Sequence, residues 1–486
     1  MCFHSPFRGL GGNLSTIQYL EKAFPHEPTP QQAGLFQKLH TFIMDQSGYA
    51  CFILKGYAGT GKTTIVSALV KALRHYGLKS VLLAPTGRAA KVISGYSGKK
   101  AFTIHKKIYR KRQAMGMDTG FANAINLAED TIFVVDEASM ISDEGTGFTR
   151  DTLLADLVTY VYNDKNCKLL LVGDTAQLPP VGSEFSPALD AKLLTDNFGL
   201  EVKSYELTDV LRQQKESGIL FNVTGIRNII REGEEYAPQI ITKGYKDVYR
   251  MTGERLQEGL EYTYNKFGFE NTLIVCRSNK NANMYNQQIR SRLLYREEEL
   301  TGGDRVMVVK NNYFWLQSGE GDSTDFIANG DMGVITRVRR TEEMYGHRFA
   351  DVLLQLSDLA EEKTIECKVM LDTLTSETPA MSSAAQKEFY AEVMKDYAHI
   401  PNRRQQMNEL KLNPYYNALQ IKFSYAVTCH KAQGGQWDAV FVDQGYLTDE
   451  MLNTDFLRWL YTACTRARQE LFLVNFGKQF FAEVSE

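Results

Sequence analysis

"CFILKGYAGTGKTTIVSALVKALRHYG", residues 51–77, decides the fold of the first half of this chain. Cys51 to Leu54 are apolar in succession, the pattern of a strand buried on both faces. A helix opens at Thr64. Between them Gly56 to Thr63, GYAGTGKT, fits G-x-x-x-x-G-K-[ST] in full. In that context glycines let backbone N–H groups converge on phosphate oxygens, and the helix N-terminus adds positive potential. Gly56, Ala58, Gly59, Thr60, Gly61, Lys62, Thr63 and Thr64 are therefore the candidate nucleotide-binding residues. Lys62 is expected to reach the β- and γ-phosphates, and the Thr63 hydroxyl to bind Mg2+.

Working outward, the same texture repeats. "SVLLAPT" is followed by "GRAAKVISGY", then come "TIFVVDEA", "DTLLADLVTYVYN" and "CKLLLVGD". Strand runs apolar on both faces, joined through helices, predict a parallel sheet covered on both sides over about 26–200. In "IFVVDEAS", Asp136 ends an apolar run and so projects from the C-terminal edge of that sheet, where Mg2+ would sit. Glu137 is placed to orient or deprotonate an attacking water. Thus far the residues imply nucleoside triphosphate hydrolysis and leave its purpose open.

The remainder divides by texture. A second α/β pattern begins near 201 with "TLIVCRS" and "NKNANMYNQQIRSRLL", and resumes after 415 with "IKFSYAVTCHKAQ", "AVFV" and "ELFLVNF". Between them, at 301–415, "GDRVMVVKNNYF", "NGDMGVITRVRR", "RFADVLLQL" and "KTIECKVML" are strands separated by turns, which predicts a small antiparallel barrel inserted in the second domain. A polar helical extension follows at 381–411. Residues 1–25 read as a tail.

Bulk composition narrows the classes. The chain has 486 residues, 43% hydrophobic and 23% charged, which suits a folded multidomain protein. No apolar run approaches the roughly 18 residues of a membrane span, and the N-terminus lacks a secretory h-region. A net charge of −3 argues against a basic coat for nucleic acid but permits a local basic groove. The seven cysteines are scattered with no CxxC pair, which points to free thiols in a reducing cytoplasm.

Further motifs complete a set. "LLAPTGRAAKV" (82–92) puts Thr86 at a strand end. "TIHKKIY" (103–109) adds Thr103, His105 and Lys106. "LLLVGDTAQLPPVG" (169–182) places Gln177 after a third strand. "ELTDVLRQQ" (206–214) carries Arg212, and "YTACTRAR" (461–468) carries Arg466. In this order, with the HKAQG run at 430–434, the chain resembles the superfamily 1 helicases, in particular the RecD-like and phage Dda-like enzymes that move 5′→3′. The resemblance covers about 25–480. It implies two RecA-like parallel-sheet domains with the inserted barrel and helical extension. It implies ATP and Mg2+ as cofactors, and single-stranded and tailed duplex DNA as partners of a monomer.

It also implies roles. Gln32 matches the glutamine that reads adenine, with Gln31 as the neighbouring alternative. Gln177 matches the link between γ-phosphate and the DNA track. Arg212 and Arg466 match the two arginines that reach from the second domain to the γ-phosphate, fingers worth about 10³–10⁵ in rate. Thr86, Thr103, His105, Thr428 and His430 match positions on the single-strand path, where hydroxyls suit phosphates and ring faces suit bases. The segment 94–131 is the place of a strand-separating pin, with Phe121 as a wedge or, alternatively, part of a plain hairpin. Tyr313, Phe314 and Trp315 are either base-stacking residues or barrel core. Two departures stand out. The Pif-family run between the Asp-Glu strand and GD-x-x-Q is not found. Gln436 stands where RecD-like relatives carry Glu at the ribose, and Gln keeps hydrogen-bonding capacity without charge. A DNA-stimulated translocase without strand separation and an RNA helicase of the same superfamily remain alternatives.

Overall fold

The computed structural model describes residues 16–111, 121–143, 145, 151–163, 165–209, 216–316, 326–357 and 363–482. Its main division falls between Glu216 and Ser217.

The first unit contains β1 (Ala50–Gly56), β2 (Lys79–Ala84), β3 (Ala101–Thr103), β4 (Tyr109–Lys111), β5 (Phe121–Asn123), β6 (Thr131–Val135), β7 (Cys167–Gly173) and β8 (Glu201–Leu207). Six of them form one sheet in the order β3-β2-β6-β7-β1-β8, and every pairing is parallel. Alternation along β1 shows why the strand had to be apolar throughout. Phe52 and Leu54 pack on one face with Leu35, Phe36 and Leu69, whereas Cys51 and Ile53 pack on the other with Leu154 and Leu157. Helices Pro30–Ile43 and Lys62–Leu73 supply the first layer, and helix Leu153–Val161 the second. Buried Lys168, in β7, donates to the carbonyls of Phe42 (3.3 Å) and Ile43 (2.6 Å), satisfying the C-terminal end of helix Pro30–Ile43.

Two expected boundaries move. Helix Thr16–Ala23 brings Leu20 and Phe24 into the core, so the domain begins inside the stretch read as a tail. The strand at 201–207 belongs to the first sheet, because β8 pairs with β1 from Ala50↔Glu201 to Gly56↔Leu207. Its alternating exposure is that of a half-buried edge strand, which in sequence looks like the start of a new domain.

The second unit opens with β9 (Val248–Met251) and β10 (Thr272–Cys276). A barrel of β11 (Arg305–Val308), β12 (Met332–Met344), β13 (His347–Leu356), β14 (Lys363–Met370) and β15 (Leu419–Phe423) follows, and then β16 (Ala426–Thr428), β17 (Trp437–Asp443) and β18 (Ala467–Val474). The sheet order is β16-β10-β17-β18-β9, again all parallel. Both parallel sheets are RecA-like.

The barrel is closed, but its last strand lies beyond 415. β15 pairs antiparallel with β11 and parallel with β14. Only Ser424 and Tyr425 separate it from β16, which belongs to the second parallel sheet. Buried Tyr425 pins this handover. Its hydroxyl donates to Asp304 Oδ1 (3.1 Å) and accepts from Arg305 N (3.2 Å) and Arg296 Nη1 (2.8 Å). Helices Ser383–Lys395 and Arg403–Leu412 form the expected extension, with Phe389, Val393 and Leu410 packed on Phe349 and Met370. Trp315 packs against the barrel core and donates through Nε1 to Asn417 O (2.7 Å), and the Tyr313 ring lies 4.8 Å from Phe326. These rings have partners within the fold. Among the described residues six cysteines are buried free thiols, and no helix is long and apolar enough to cross a membrane.

Candidate functional site

Parallel strands place all their C-terminal ends on one edge of a sheet, and ligands gather there. In the first unit the Gly-rich turn follows β1, Asp136 and Glu137 follow β6, and Asp174 to Gln177 follow β7, which lies between them. Gly59 and Gly61 adopt φ of 79° and 87°, the left-handed region that glycine enters freely. A Cβ on Gly56 would stand 2.9 Å from Thr60 Oγ1 and 3.2 Å from Lys62 Cδ, so the turn is wound too tightly for any side chain there. Thr60 Oγ1 donates to Tyr57 O at 2.8 Å. Lys62 Nζ donates to Gly56 O at 2.6 Å and Tyr57 O at 2.9 Å. Thr63 and Thr64 sit in the first turn of the helix and are partly exposed.

The two glutamines have distinct places. Gln32 is 1% exposed and completes a capping box: its N–H donates to Thr29 Oγ1 and its Oε1 accepts from Thr29 N. Its Nε2 donates to Thr60 O (3.2 Å), bracing the Gly-rich turn from the helix Pro30–Ile43. Gln31 is less buried and bonds the end of β8, accepting from Thr208 N and donating to Thr208 Oγ1.

Asp136 N donates to Leu83 O (3.0 Å), and its Oδ1 accepts from Glu137 N (3.0 Å). Burial, then the charge of Glu137, pushes its carboxyl up to about 7, against the opposing effect of Lys62. Glu137 has φ of 53°, a backbone state costing a non-glycine residue about 1–2 kcal/mol. Two neighbouring polar atoms, Ser139 Oγ and Gln177 Oε1, are buried with no hydrogen-bond partner among the described residues. The Thr63 hydroxyl and the Asp136 carboxylate are hard-oxygen ligands of the kind that suits Mg2+, and the N–H groups of the Gly-rich turn suit phosphate oxygens. Thr63 and Asp136 would hold the ion.

The other end of the same sheet carries the residues expected on a single-strand path. Thr86 follows β2, and Thr103 ends β3. Thr103 Oγ1 accepts from Lys106 N (3.2 Å) and so caps the turn Ile104–Ile108. Burial pushes the His105 imidazole down to about 4, with Asp156 opposing, and its ring lies 5.6 Å from Tyr109. Lys106 is partly exposed. The expected pin excursion has a two-stranded base: β4 and β5 pair antiparallel from Tyr109↔Asn123 to Lys111↔Phe121. The tip at 112–120, the Phe121 side chain and Arg212 lie outside the described residues.

In the second unit Thr428 ends β16, level with Cys276 of β10. The short helix Cys429–Ala432 presents His430 and Lys431. Lys431 Nζ donates to Asn329 Oδ1 at the barrel, and Asn329 N donates to Asn311 Oδ1 (2.6 Å). Burial pushes the Lys431 amine down to about 8, and burial with the Lys431 charge also lowers His430. Gly434 has φ of 72°, and a Cβ on Gly435 would lie 2.5 Å from Trp437 Cη2. Gln436 is exposed at the tip of this turn. Arg466 is 3% exposed. It donates from Nε to Thr462 O (3.0 Å), from Nη1 to Gly435 O (3.3 Å) and from Nη2 to Thr465 Oγ1 (3.1 Å). Its carbonyl accepts from Trp437 N (2.9 Å). The turn bearing Gln436 and the finger candidate are therefore one hydrogen-bonded assembly.

Sequence reading assigned nothing to Ser139 or Asn329. Ser139 stands in the quoted DEAS run, and a serine inside an otherwise apolar, buried surrounding was its only signal. Asn329 lies a hundred residues from its partner and gave none.

Residues 29–228 match the family model described as an AAA domain, and 423–474 match that of the UvrD-like helicase C-terminal domain. The ATP-dependent RecD2 DNA helicase of Deinococcus radiodurans is 30% identical over 200 residues, covering 41% of this chain and 25% of that protein. The ATP-dependent DNA helicase dda of Enterobacteria phage T4 is 25% identical over 266 residues, covering 52% of this chain and 55% of the phage protein. The chain thus spans a quarter of the first relative's length and about half of the second's. A crystal structure of Pif1 helicase from Bacteroides with ADP-AlF3 and ssDNA aligns over 92% of this chain and 94% of that one, at 16% identity and a TM-score of 0.46. An AAA-domain model thus lies on the first unit and a UvrD-like helicase C-terminal model on the second, and the chain is similar to RecD2 and Dda helicases over the stretches that carry the ordered motifs.

Proposed function

We propose that this chain is an ATP- and Mg2+-dependent DNA helicase that moves 5′→3′ on a single strand and separates a tailed duplex, acting as a cytoplasmic monomer. One observation carries the reading. A single sheet edge bears the Gly-rich turn after β1, the acid pair after β6, Gln177 after β7, Thr86 just beyond β2 and Thr103 at the end of β3, the last two being assigned to the single strand on this reading. Nucleotide and nucleic acid would then meet along one sheet, with the acid pair after β6 next to the β2 and β3 stretch and Gln177 within the nucleotide stretch.

Within that scheme Lys62 releases its loop carbonyls to meet the β- and γ-phosphates. Thr63 and Asp136 would hold Mg2+, which would supply charge neutralisation to the phosphate oxygens. Glu137 orients the attacking water, and its proton passes to that carboxylate. Arg212 and Arg466 supply positive charge to the γ-phosphate, and Gln436 a neutral hydrogen bond to the sugar. Gln32 or Gln31 reads the adenine.

The β4–β5 hairpin favours strand separation over bare translocation, since a hairpin beside the track is a suitable wedge. Unwinding of matched 5′-tailed and 3′-tailed duplexes tests the reading, with hydrolysis measured alongside on DNA and RNA single strands. Unwinding from the 5′ tail alone is expected. Unwinding only from the 3′ tail would reverse the polarity, stimulation by RNA alone would move the substrate class, and Phe121→Ala is expected to spare DNA-stimulated hydrolysis while slowing unwinding.

A further inference from the structure

The C-terminal edge of the second sheet carries one feature that no motif claims. Register puts three strand ends level there: Cys276 pairs with Thr428, and Val275 with Val442. Neighbouring strands lie about 4.8 Å apart, so the end of β17 stands roughly 10 Å across the edge from that of β16. Just past β17, Tyr446 is 79% exposed.

That exposed ring rides on a backbone held from several sides. Asp443 accepts from Tyr285 OH (3.0 Å) and Asn281 Nδ2 (3.3 Å). Gln444 is buried, and its Oε1 accepts from Gly477 N (2.7 Å). Gly445 turns the chain with φ of 63°. Arg277 Nη1, from the end of β10, then donates to Tyr446 O (3.0 Å), while its guanidinium lies 5.3 Å from the Phe456 ring centroid and 5.7 Å from that of Trp459. Exposed Lys280 stands in the first turn of helix Asn279–Gln288, which leaves this same edge. A fixed backbone, a free aromatic face and a nearby cation are the components of a stacking platform for nucleic-acid bases.

We propose that Tyr446 stacks on a base of the bound single strand, extending the track from Thr428 and His430 across β10 to β17, with Arg277 as the residue that positions it. This rests on the helicase reading, which identifies the ligand as a single strand of nucleic acid.

The test is fluorescence anisotropy of the full chain with labelled oligo-dT, and with oligo-U for the RNA arm. Tyr446→Ala is expected to weaken binding about 5- to 100-fold, the range for loss of one base–aromatic stack, and Tyr446→Phe and Tyr446→Trp to stay within about twofold of wild type. The indole of Tyr446→Trp should be quenched by added oligonucleotide. An abasic position walked along the oligonucleotide should, at one place, weaken wild type but not Tyr446→Ala. Unchanged affinity in Tyr446→Ala, or a loss just as large in Tyr446→Phe, overturns the platform while leaving the helicase reading intact. Failure of wild type to bind either single strand overturns both, and shows before any variant is made.

Discussion

Lys62 and Arg466 are both cations with backbone carbonyls for partners, yet the edges around them differ. Around Lys62 the first unit leaves Ser139 Oγ and Gln177 Oε1 buried and unpartnered among the described residues. Around Arg466 three nitrogens are matched to Thr462 O, Gly435 O and Thr465 Oγ1, and Lys431 is matched to Asn329. An unpaired buried polar group costs about 1–3 kcal/mol, which a ligand hydrogen-bonded to these atoms would offset. At the second edge the two cations are matched, and the buried atom without a partner among the described residues is a ring nitrogen, Trp437 Nε1, rather than an oxygen. Its arginine turns to an anion only by exchanging neutral acceptors for charged ones, bonds roughly twice as strong. One edge is prepared to bind, and the other to respond.

The widest break in this comparison comes from Lys62→Ala. It should reduce ATP hydrolysis to background while single-strand binding persists, and retained turnover would remove the phosphate turn from the mechanism. Next, Arg466→Ala should lower kcat by about 10³–10⁵. It should also lower the urea midpoint, because two carbonyls lose a buried donor. Arg466→Lys should recover part of that midpoint but little of the rate, since an ammonium lacks the planar fork. A stable but equally active Arg466→Ala would show that the arginine is structural alone.

Gln177→Ala sharpens the contrast from the other side. With an orphaned acceptor removed, stability should hold or rise slightly, while stimulation of hydrolysis by single strands falls. A loss of stability with stimulation intact would mean that the Gln177 side chain is a packing element.

The smallest effect concerns His105. Its imidazole is held near 4, below the ordinary 6.5, so the unfolded chain binds the extra proton between those values. The stability this contributes is complete above about pH 6.5 and is lost as pH falls toward 4. His105→Gln should flatten the dependence of the denaturation midpoint over that window. An unchanged slope would place the pH response elsewhere.

Motifs that bind phosphate were legible because the chemistry demands contiguous residues: strand, Gly56 to Thr63, and helix. The sheet around them was legible too, since Cys51 to Leu54 and Leu169 to Val172 are apolar on both faces. What escaped reading was non-local. β8 alternates because one face is half exposed, so it resembled a beginning rather than an edge. In "LQIKFSYAVT" one continuous stretch serves two sheets, and nothing in its periodicity marks Ser424 and Tyr425 as the point of exchange. Arg466 was identified by its TRAR setting, but its tie to Gly435 O joins residues thirty-one apart, which only folding reveals.

The exchange at Ser424–Tyr425 also bears on how this chain could be edited. An inserted module is ordinarily expected to enter and leave through neighbouring points, so that it can be excised and the host resealed. Here the exit runs straight into β16, and from there into Thr428 and His430. A deletion ending at 415 would leave a stray barrel strand on the host. One ending after Phe423 would strip Tyr425 of two of its anchors, Asp304 and Arg305. The barrel is therefore not a removable attachment, and any transplant of it must carry the TCHKAQGG segment along.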